Sequence, residues 1–171
     1  MNKIAKFEKV SFGRFMNDWH KSFPFTSEER MKMIYDEIPL PVRSTTGSAG
    51  YDFYIPDEIN LYERANVVIP TGIRCKIEDG WVLSVFPRSG QGFKYGIHLA
   101  NTVGIIDADY YDADNEGHIQ IKLVNDSALS RDINFQQHTA FCQGIFLPFG
   151  ITVDDEVEAK RHGGFGSTDN K

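Results

Sequence analysis

Ile97-His98-Leu99-Ala100-Asn101-Thr102-Val103-Gly104-Ile105-Ile106-Asp107-Ala108-Asp109-Tyr110 sets apolar arms on either side of a small-residue centre, Asn101 to Gly104. That pattern predicts a β-hairpin or a tight strand-turn-strand. The second arm runs directly into a carboxylate, Asp107, with an aromatic, Tyr110, three residues on. The bend of such a unit presents backbone N–H and C=O groups together, and the edge of a planar base needs both hydrogen-bond types. Read alone, the stretch is a surface hairpin with solvated acids. The motifs around it change that reading.

Outward from the bend, the chain from residue 48 on is a series of short β runs. Trp81–Phe86 is mostly apolar and suits a buried strand. Ile119, Ile121 and Leu123 alternate with His118, Gln120 and Lys122, which predicts a half-buried strand with the second set facing out. Asn66–Pro70, Gly72–Ile77 and Thr139–Pro148 are further strand candidates, with Gly, Pro, Asn and Asp at the joints. Many short strands and no helical pattern after residue 40 predict an all-β sandwich or barrel-like domain.

Residues 1–38 read differently. Phe12, Phe15, Met16 and Trp19 recur at helical spacing behind a potential N-cap, Ser11. After Phe23-Pro24-Phe25, Thr26 and Glu29 have capping-box spacing, and Met31, Ile34 and Tyr35 form an apolar side that Pro39 and Pro41 end. This predicts a helical extension that packs on the main domain, with a protein partner as its other use. The domain reading is therefore 1–38 helical extension, 39–159 β domain and 160–171 glycine-rich lid.

The bulk numbers fit one soluble domain with an appendage: 171 residues, 41% hydrophobic and 25% charged. A net charge of −6 argues against a nucleic-acid backbone as partner, so any phosphate site must rest on a few local cations. The two cysteines, Cys75 and Cys142, lack CxxC spacing, which suits reduced thiols in the cytoplasm. The N-terminus lacks a signal-peptide apolar run, and no run approaches membrane-spanning length. The five histidines show no metal-ligand spacing.

Two further stretches have the chemistry of anion sites. Pro87-Arg88-Ser89-Gly90 follows the Trp81–Phe86 run and supplies a guanidinium fork, a hydroxyl and a glycine that admits backbone donors. Gly163-Gly164-Phe165-Gly166-Ser167-Thr168, with Arg161 upstream, combines glycines, hydroxyls and one aromatic able to fold over a nucleotide. It lacks the P-loop pattern, and such compositions are commonly flexible tails.

Five segments in fixed order resemble the trimeric dUTP pyrophosphatase (dUTPase) family: Ser48-Ala49-Gly50-Tyr51-Asp52, Pro87-Arg88-Ser89-Gly90, Asn101 through Tyr110, Cys142-Gln143-Gly144-Ile145-Phe146, and Arg161 through Thr168. The resemblance implies a homotrimer of distorted jelly-roll (β-clip) subunits, with sites assembled from more than one subunit. It implies Mg²⁺-dependent cleavage of dUTP to dUMP and pyrophosphate, which limits uracil incorporation into DNA and supplies dUMP for thymidylate synthesis. On this resemblance Asp107 orients and deprotonates the attacking water, and Tyr110 lies under the deoxyribose. Asn101 reads uracil together with the backbone of Gly104, Ile105 and Ile106. Arg88, Ser89, Gly90 and Gln143 contact phosphates, and Asp52 organises nearby cations. Phe165 is the base-stacking lid, with Arg161, Gly166, Ser167 and Thr168 closing on the phosphates. Mg²⁺ arrives bridging the triphosphate and water, with no protein ligand.

The chain departs from the family pattern in three places. The tail is one residue shorter before its glycines, leaving Arg161 or Lys160 as its cation. An acidic insertion, Tyr111-Asp112-Ala113-Asp114-Asn115-Glu116, precedes Gly117. Asp169 stands where the motif usually ends in Gly. Two rival readings remain at this point: a dCTP deaminase of the same superfold, and a dUTPase-like regulatory protein switched by nucleotide.

Overall fold

The computed structural model describes residues 2–126, 131–159 and 163. In chain order these form β1 (Ala5–Lys9), α1 (Phe12–Ser22), α2 (Glu28–Glu37), β2 (Val42–Arg43), β3 (Tyr51–Tyr54), β4 (Ile59–Leu61), β5 (Asn66–Pro70) and β6 (Ile73–Ile77). There follow β7 (Trp81–Pro87), α3 (Ser89–Tyr95), β8 (Ile97–Leu99), β9 (Gly104–Ile106), a 3-10 turn (Ala108–Asp112), β10 (Gln120–Asn125), β11 (Ile133–Phe135) and β12 (Ala140–Pro148). Among the described residues the pairings are antiparallel and make four sheets: β1-β6, β5-β10-β8, β11-β4 and β2-β3-β12-β7-β9. This is the all-β, jelly-roll class read from the sequence. No helix among the described residues is long and apolar enough to cross a membrane.

Strand alternation builds one core. Leu83 and Val85 of β7, Ile121 and Leu123 of β10, and Phe141 of β12 point into it, as do Phe53 and Ile69. The N-terminal helices belong to the same core. Phe15 and Trp19 of α1 and Met31 and Ile34 of α2 are buried, with ring centroids of Phe15 and Trp19 5.3 Å apart. A side chain of this kind is worth about 2 kcal/mol when buried.

Four local expectations change. First, of the two forms expected for the bend, the structure has the tight strand-turn-strand and not the hairpin: β8 pairs with β10 and β9 with β7, so its arms lie in different sheets. Second, α3 is a helix after residue 40, hidden from the sequence reading because Ser89-Gly90-Gln91-Gly92 has poor helix propensity. Third, Ser27 rather than Thr26 caps α2, accepting from the Arg30 N–H, because the Thr26 hydroxyl accepts the Trp19 indole N–H at 3.1 Å. Fourth, His118 is fully buried instead of facing out. The structure also adds β1, which the sequence reading did not contain.

Candidate active site

The bend joins two sheets. Ala100 N–H donates to the Lys122 carbonyl (2.9 Å), Thr102 N–H to Leu99 O (3.0 Å) and Val103 N–H to Asn101 O (2.6 Å). Thr102 has φ +63°, a left-handed conformation that a β-branched residue adopts only under strain. Gly104 follows in β9, where an added Cβ would lie 3.3 Å from the Val85 Cβ. Under the bend is a cavity of about 280 Å³, lined by Leu99, Ala100, Asn101, Gly104 and Ile106 with Gln120, Ile121 and Lys122 of β10. It is at the small end of ligand cavities and mostly apolar, the size and character of a site for one planar ring. Ile105, between two buried residues, is exposed.

Asp107 leaves β9 directly after Ile106 and begins the 3-10 turn, its carbonyl accepting from Tyr110 N–H at 3.2 Å. Tyr110 is buried. Its hydroxyl donates to the His118 carbonyl (2.9 Å) and accepts from Asn115 Nδ2 (2.7 Å). The chain's own polar groups thus fix the ring's orientation.

A second cluster forms where β3, β12 and β7 lie side by side. Gln143 is opposite Asp52 on one side and Phe86 on the other. The buried Asp52 carboxylate meets Arg88 Nε at 3.2 Å and accepts from the Ser44 hydroxyl at 2.9 Å. Gln143 Nε2 donates to the Pro87 carbonyl at 3.4 Å. An added Cβ at Gly50 would press on the Gln143 side chain and displace its amide end. Arg88 is partly exposed, and Ser89 and Gly90 follow it in the first turn of α3. Burial pushes the Cys142 thiol well above its usual pKa, with Asp52 adding to the effect, so it is no nucleophile.

On one chain these clusters are apart. Ile106 is opposite Leu83, whereas Arg88 follows Pro87, four residues further along β7. At strand rise that is about 13 Å between the Asp107 exit and the Arg88 exit. The structure therefore gathers Asn101, Gly104 and Ile106 around one cavity and Asp52, Arg88 and Gln143 around another point. It does not bring Asp107 to Arg88.

The family model described as dUTPase matches residues 36–169. The chain belongs to the dUTPase family. It is 38% identical over 134 residues to the deoxyuridine 5'-triphosphate nucleotidohydrolase of Lactococcus lactis subsp. lactis, covering 77% of this chain and 88% of that one. It is similar to the crystal structure of dUTPase from Streptococcus mutans, with a TM-score of 0.64 and 30% identity over 85% of this chain and 97% of that one. A mutant dUTPase from phage phi11 of S. aureus, whose structure concerns coordination of a structural Mg(II) ion, shares the fold with a TM-score of 0.63. It is 16% identical, covering 92% of this chain and 98% of that chain.

Arg161, Phe165, Gly166, Ser167 and Thr168 of this dUTPase lie outside the described residues, as does Lys160. Sequence reasoning missed Ser44, which holds the second oxygen of Asp52, and Gln120 and Lys122 at the cavity. The β10 alternation does place Gln120 and Lys122 on one face, so a signal existed for those two. For Ser44 there was none. Among the described residues no three His, Cys, Asp or Glu side chains converge to cage a metal.

Proposed function

We propose that this dUTPase hydrolyses dUTP to dUMP and pyrophosphate at sites shared between three copies of the chain. The observation that carries the reading is the strained bend over a ring-sized cavity with a carboxylate directly behind it. Asn101 and the backbone of Gly104, Ile105 and Ile106 read the uracil edge. Cytosine would set its donors against the bend's donors, and unmatched buried polar groups are costly. Thymine's methyl has no room against so tight a bend. Tyr110 supports the deoxyribose, where a 2′-hydroxyl would clash. Asp107 orients the attacking water and takes its proton.

Arg88, Ser89, Gly90 and Gln143 take the phosphates. Asp52 and Ser44 hold the Arg88 guanidinium in place, so Asp52 is a positioning residue. Phe165 stacks on the base, while Arg161, Gly166, Ser167 and Thr168 close over the phosphates. The separation of Asp107 from Arg88 on one chain supports the shared site: a homotrimer places one subunit's Asp107 against another's Arg88. Residues 39–159 are then the catalytic domain, with 1–38 an extension and 160–171 a lid, in a cytoplasmic enzyme. Mg²⁺ would be held by triphosphate oxygens and water, since Mg²⁺ keeps waters and favours phosphates over all-protein cages. When bound, it neutralises triphosphate charge. The family membership and its relatives favour hydrolysis over deamination of dCTP.

The test is to incubate the purified protein with each dNTP, UTP and Mg²⁺ and identify the products. Selective dUMP and pyrophosphate formation is expected. Comparable turnover of dCTP, dTTP or UTP, or ammonia release from dCTP, would overturn the reading. Sharing is tested by co-refolding inactive Asp107→Asn with a chain truncated before Lys160. Mixed trimers should regain dUTP turnover, and proven mixing without activity refutes shared sites.

A further inference from the structure

The N-terminal segment and the acidic insertion, two features outside the catalytic motifs, are each other's partners. Glu116 accepts twice from Ser11, from its N–H at 2.7 Å and from its hydroxyl at 2.6 Å. Arg14 Nη2 donates to the Asp114 carbonyl at 3.1 Å. The Tyr111 hydroxyl donates to Glu8 of β1 at 2.5 Å, and the Arg74 guanidinium of β6 lies 4.3 Å from the Tyr111 ring centre. Beneath them, Gly72 N–H donates to His118 Nε2 at 2.8 Å. That leaves Nδ1–H to donate to the buried Asp18 of α1, also at 2.8 Å. Each arm-to-insertion hydrogen bond spans about a hundred residues of sequence.

The insertion is in turn tied to the catalytic turn. Tyr110 N–H holds the Asp107 carbonyl, and the Tyr110 hydroxyl is held by Asn115 and by the carbonyl of His118. Ala113 N–H donates back to Tyr110 O (3.1 Å) and Glu116 N–H to Ala113 O (2.7 Å). Gly117, at φ +66°, closes the loop so tightly that a Cβ would sit 2.7 Å from the Tyr110 carbonyl. A shift at Glu116 therefore has a short, hydrogen-bonded route to Tyr110 and Asp107.

We propose that Ser11, Asp18, Glu116 and His118 are positioning residues: α1 clasps the insertion and thereby sets the orientation of Tyr110 and Asp107 for catalysis. This rests on the catalytic roles given to Asp107 and Tyr110 above. The clasp gives the insertion a purpose within one chain. Its acids do not gather as a metal cage among the described residues, and one of them, Glu116, is spent on the start of α1.

Removing the whole arm would strip Phe15 and Trp19 from the core and is not the test. Glu116→Asn is. Asn accepts the left-handed φ of +59° at this position, but is too short to keep both Ser11 bonds, so fold stability and clasp are separated. Ser11 keeps its capping bond to Arg14 in this variant. Two readouts follow. Amide exchange at Ala108–His118 should rise about tenfold, with the β7–β12 amides unchanged. The kcat for dUTP should fall about tenfold, while affinity for a non-hydrolysable dUTP analogue stays within about twofold. Ser11→Thr, which keeps both donors, should behave as wild type in both.

Unchanged exchange in Glu116→Asn overturns the clasp whatever the enzyme does. Faster exchange with an unchanged kcat overturns the positioning role and leaves a structural brace. Failure of the wild-type protein to turn over dUTP is a different result: it refutes the catalytic reading and with it the roles of Asp107 and Tyr110.

Discussion

The two halves of the site are built in opposite ways. The Asp107 half is braced within one chain at three points: the bend ties two sheets, the Tyr110 hydroxyl is doubly held, and α1 grips the insertion behind it. The Arg88 half is open. Among the described residues its guanidinium has one carboxylate partner, α3 buries none of its residues, and Phe93 on α3 is 94% exposed. The difference follows the chemistry. On the roles proposed above, a base reader and a water-activating carboxylate need geometry fixed in advance. A triphosphate brings its own charge to order the groups around it, so that half can start from one cation held in place.

The contrast breaks first at Asp107. Asp107→Asn should keep nucleotide binding and lose on the order of 10²–10⁴-fold in kcat, as expected for a lost general base. Steady-state kinetics with analogue binding checks it, and a near-normal kcat would show that the braced carboxylate is not the base. Gly117→Ala should be next. It combines a left-handed φ with a backbone collision and should cost more than about 2 kcal/mol of stability, read from urea unfolding. A matching change in the open half, Gly90→Ala, meets nothing within 4 Å inside α3 and should leave stability unchanged or raise it by less than about 1 kcal/mol.

Acid should loosen the braced half through Asp18. Burial alone would raise the Asp18 carboxyl, but hydrogen bonds from His118 and Lys21 outweigh it and hold it at about 2, below its ordinary 3.8. A folded value below the unfolded one means the stabilisation is complete above about pH 4 and is lost as pH falls through about 2. The amount is about 2 kcal/mol. The stability difference between wild type and Asp18→Asn should shrink across that window and stay flat from pH 5 to 7. Arg88→Ala should have a modest effect on the fold, about 1 kcal/mol, because the buried Asp52 carboxylate keeps its Ser44 bond but loses its cation. Its main effect should appear instead as weaker binding of triphosphate, by about tenfold or more.

What could be read in the sequence follows the same division by range. Contiguous signals were legible: the Trp81–Pro87 strand, the Ile121 and Leu123 alternation, the Ser11 cap, and five motifs that carried the family. Signals that depend on distant partners were not. His118 reads as an outward residue until Asp18, a hundred positions away, is seen to receive its Nδ1–H. β1 is five residues with ordinary alternation and becomes a strand by pairing with β6. Thr26 and Ser27 are equally good caps locally, and a tryptophan on the neighbouring helix decides between them. The separation of Asp107 from Arg88 required the β7–β9 register, which no motif spacing contains.

The link between sheets at residues 100–103 also works as a ruler. Leu99 is fixed by its partner Leu123, and Gly104 by its partner Val85. The chain between them must cover a set gap with a set number of residues. One inserted residue would turn β9 over, moving Ile106 out of the core, Ile105 into it, and Asp107 to the opposite face. The loop at 111–116 is held by side chains instead of a ladder, so its length can change without turning a strand over, provided Glu116 still reaches Ser11 and Tyr110 still meets His118. Length variation among descendants of this chain should therefore accumulate after Tyr110 and be purged between Leu99 and Gly104, whichever bases the bend evolves to read.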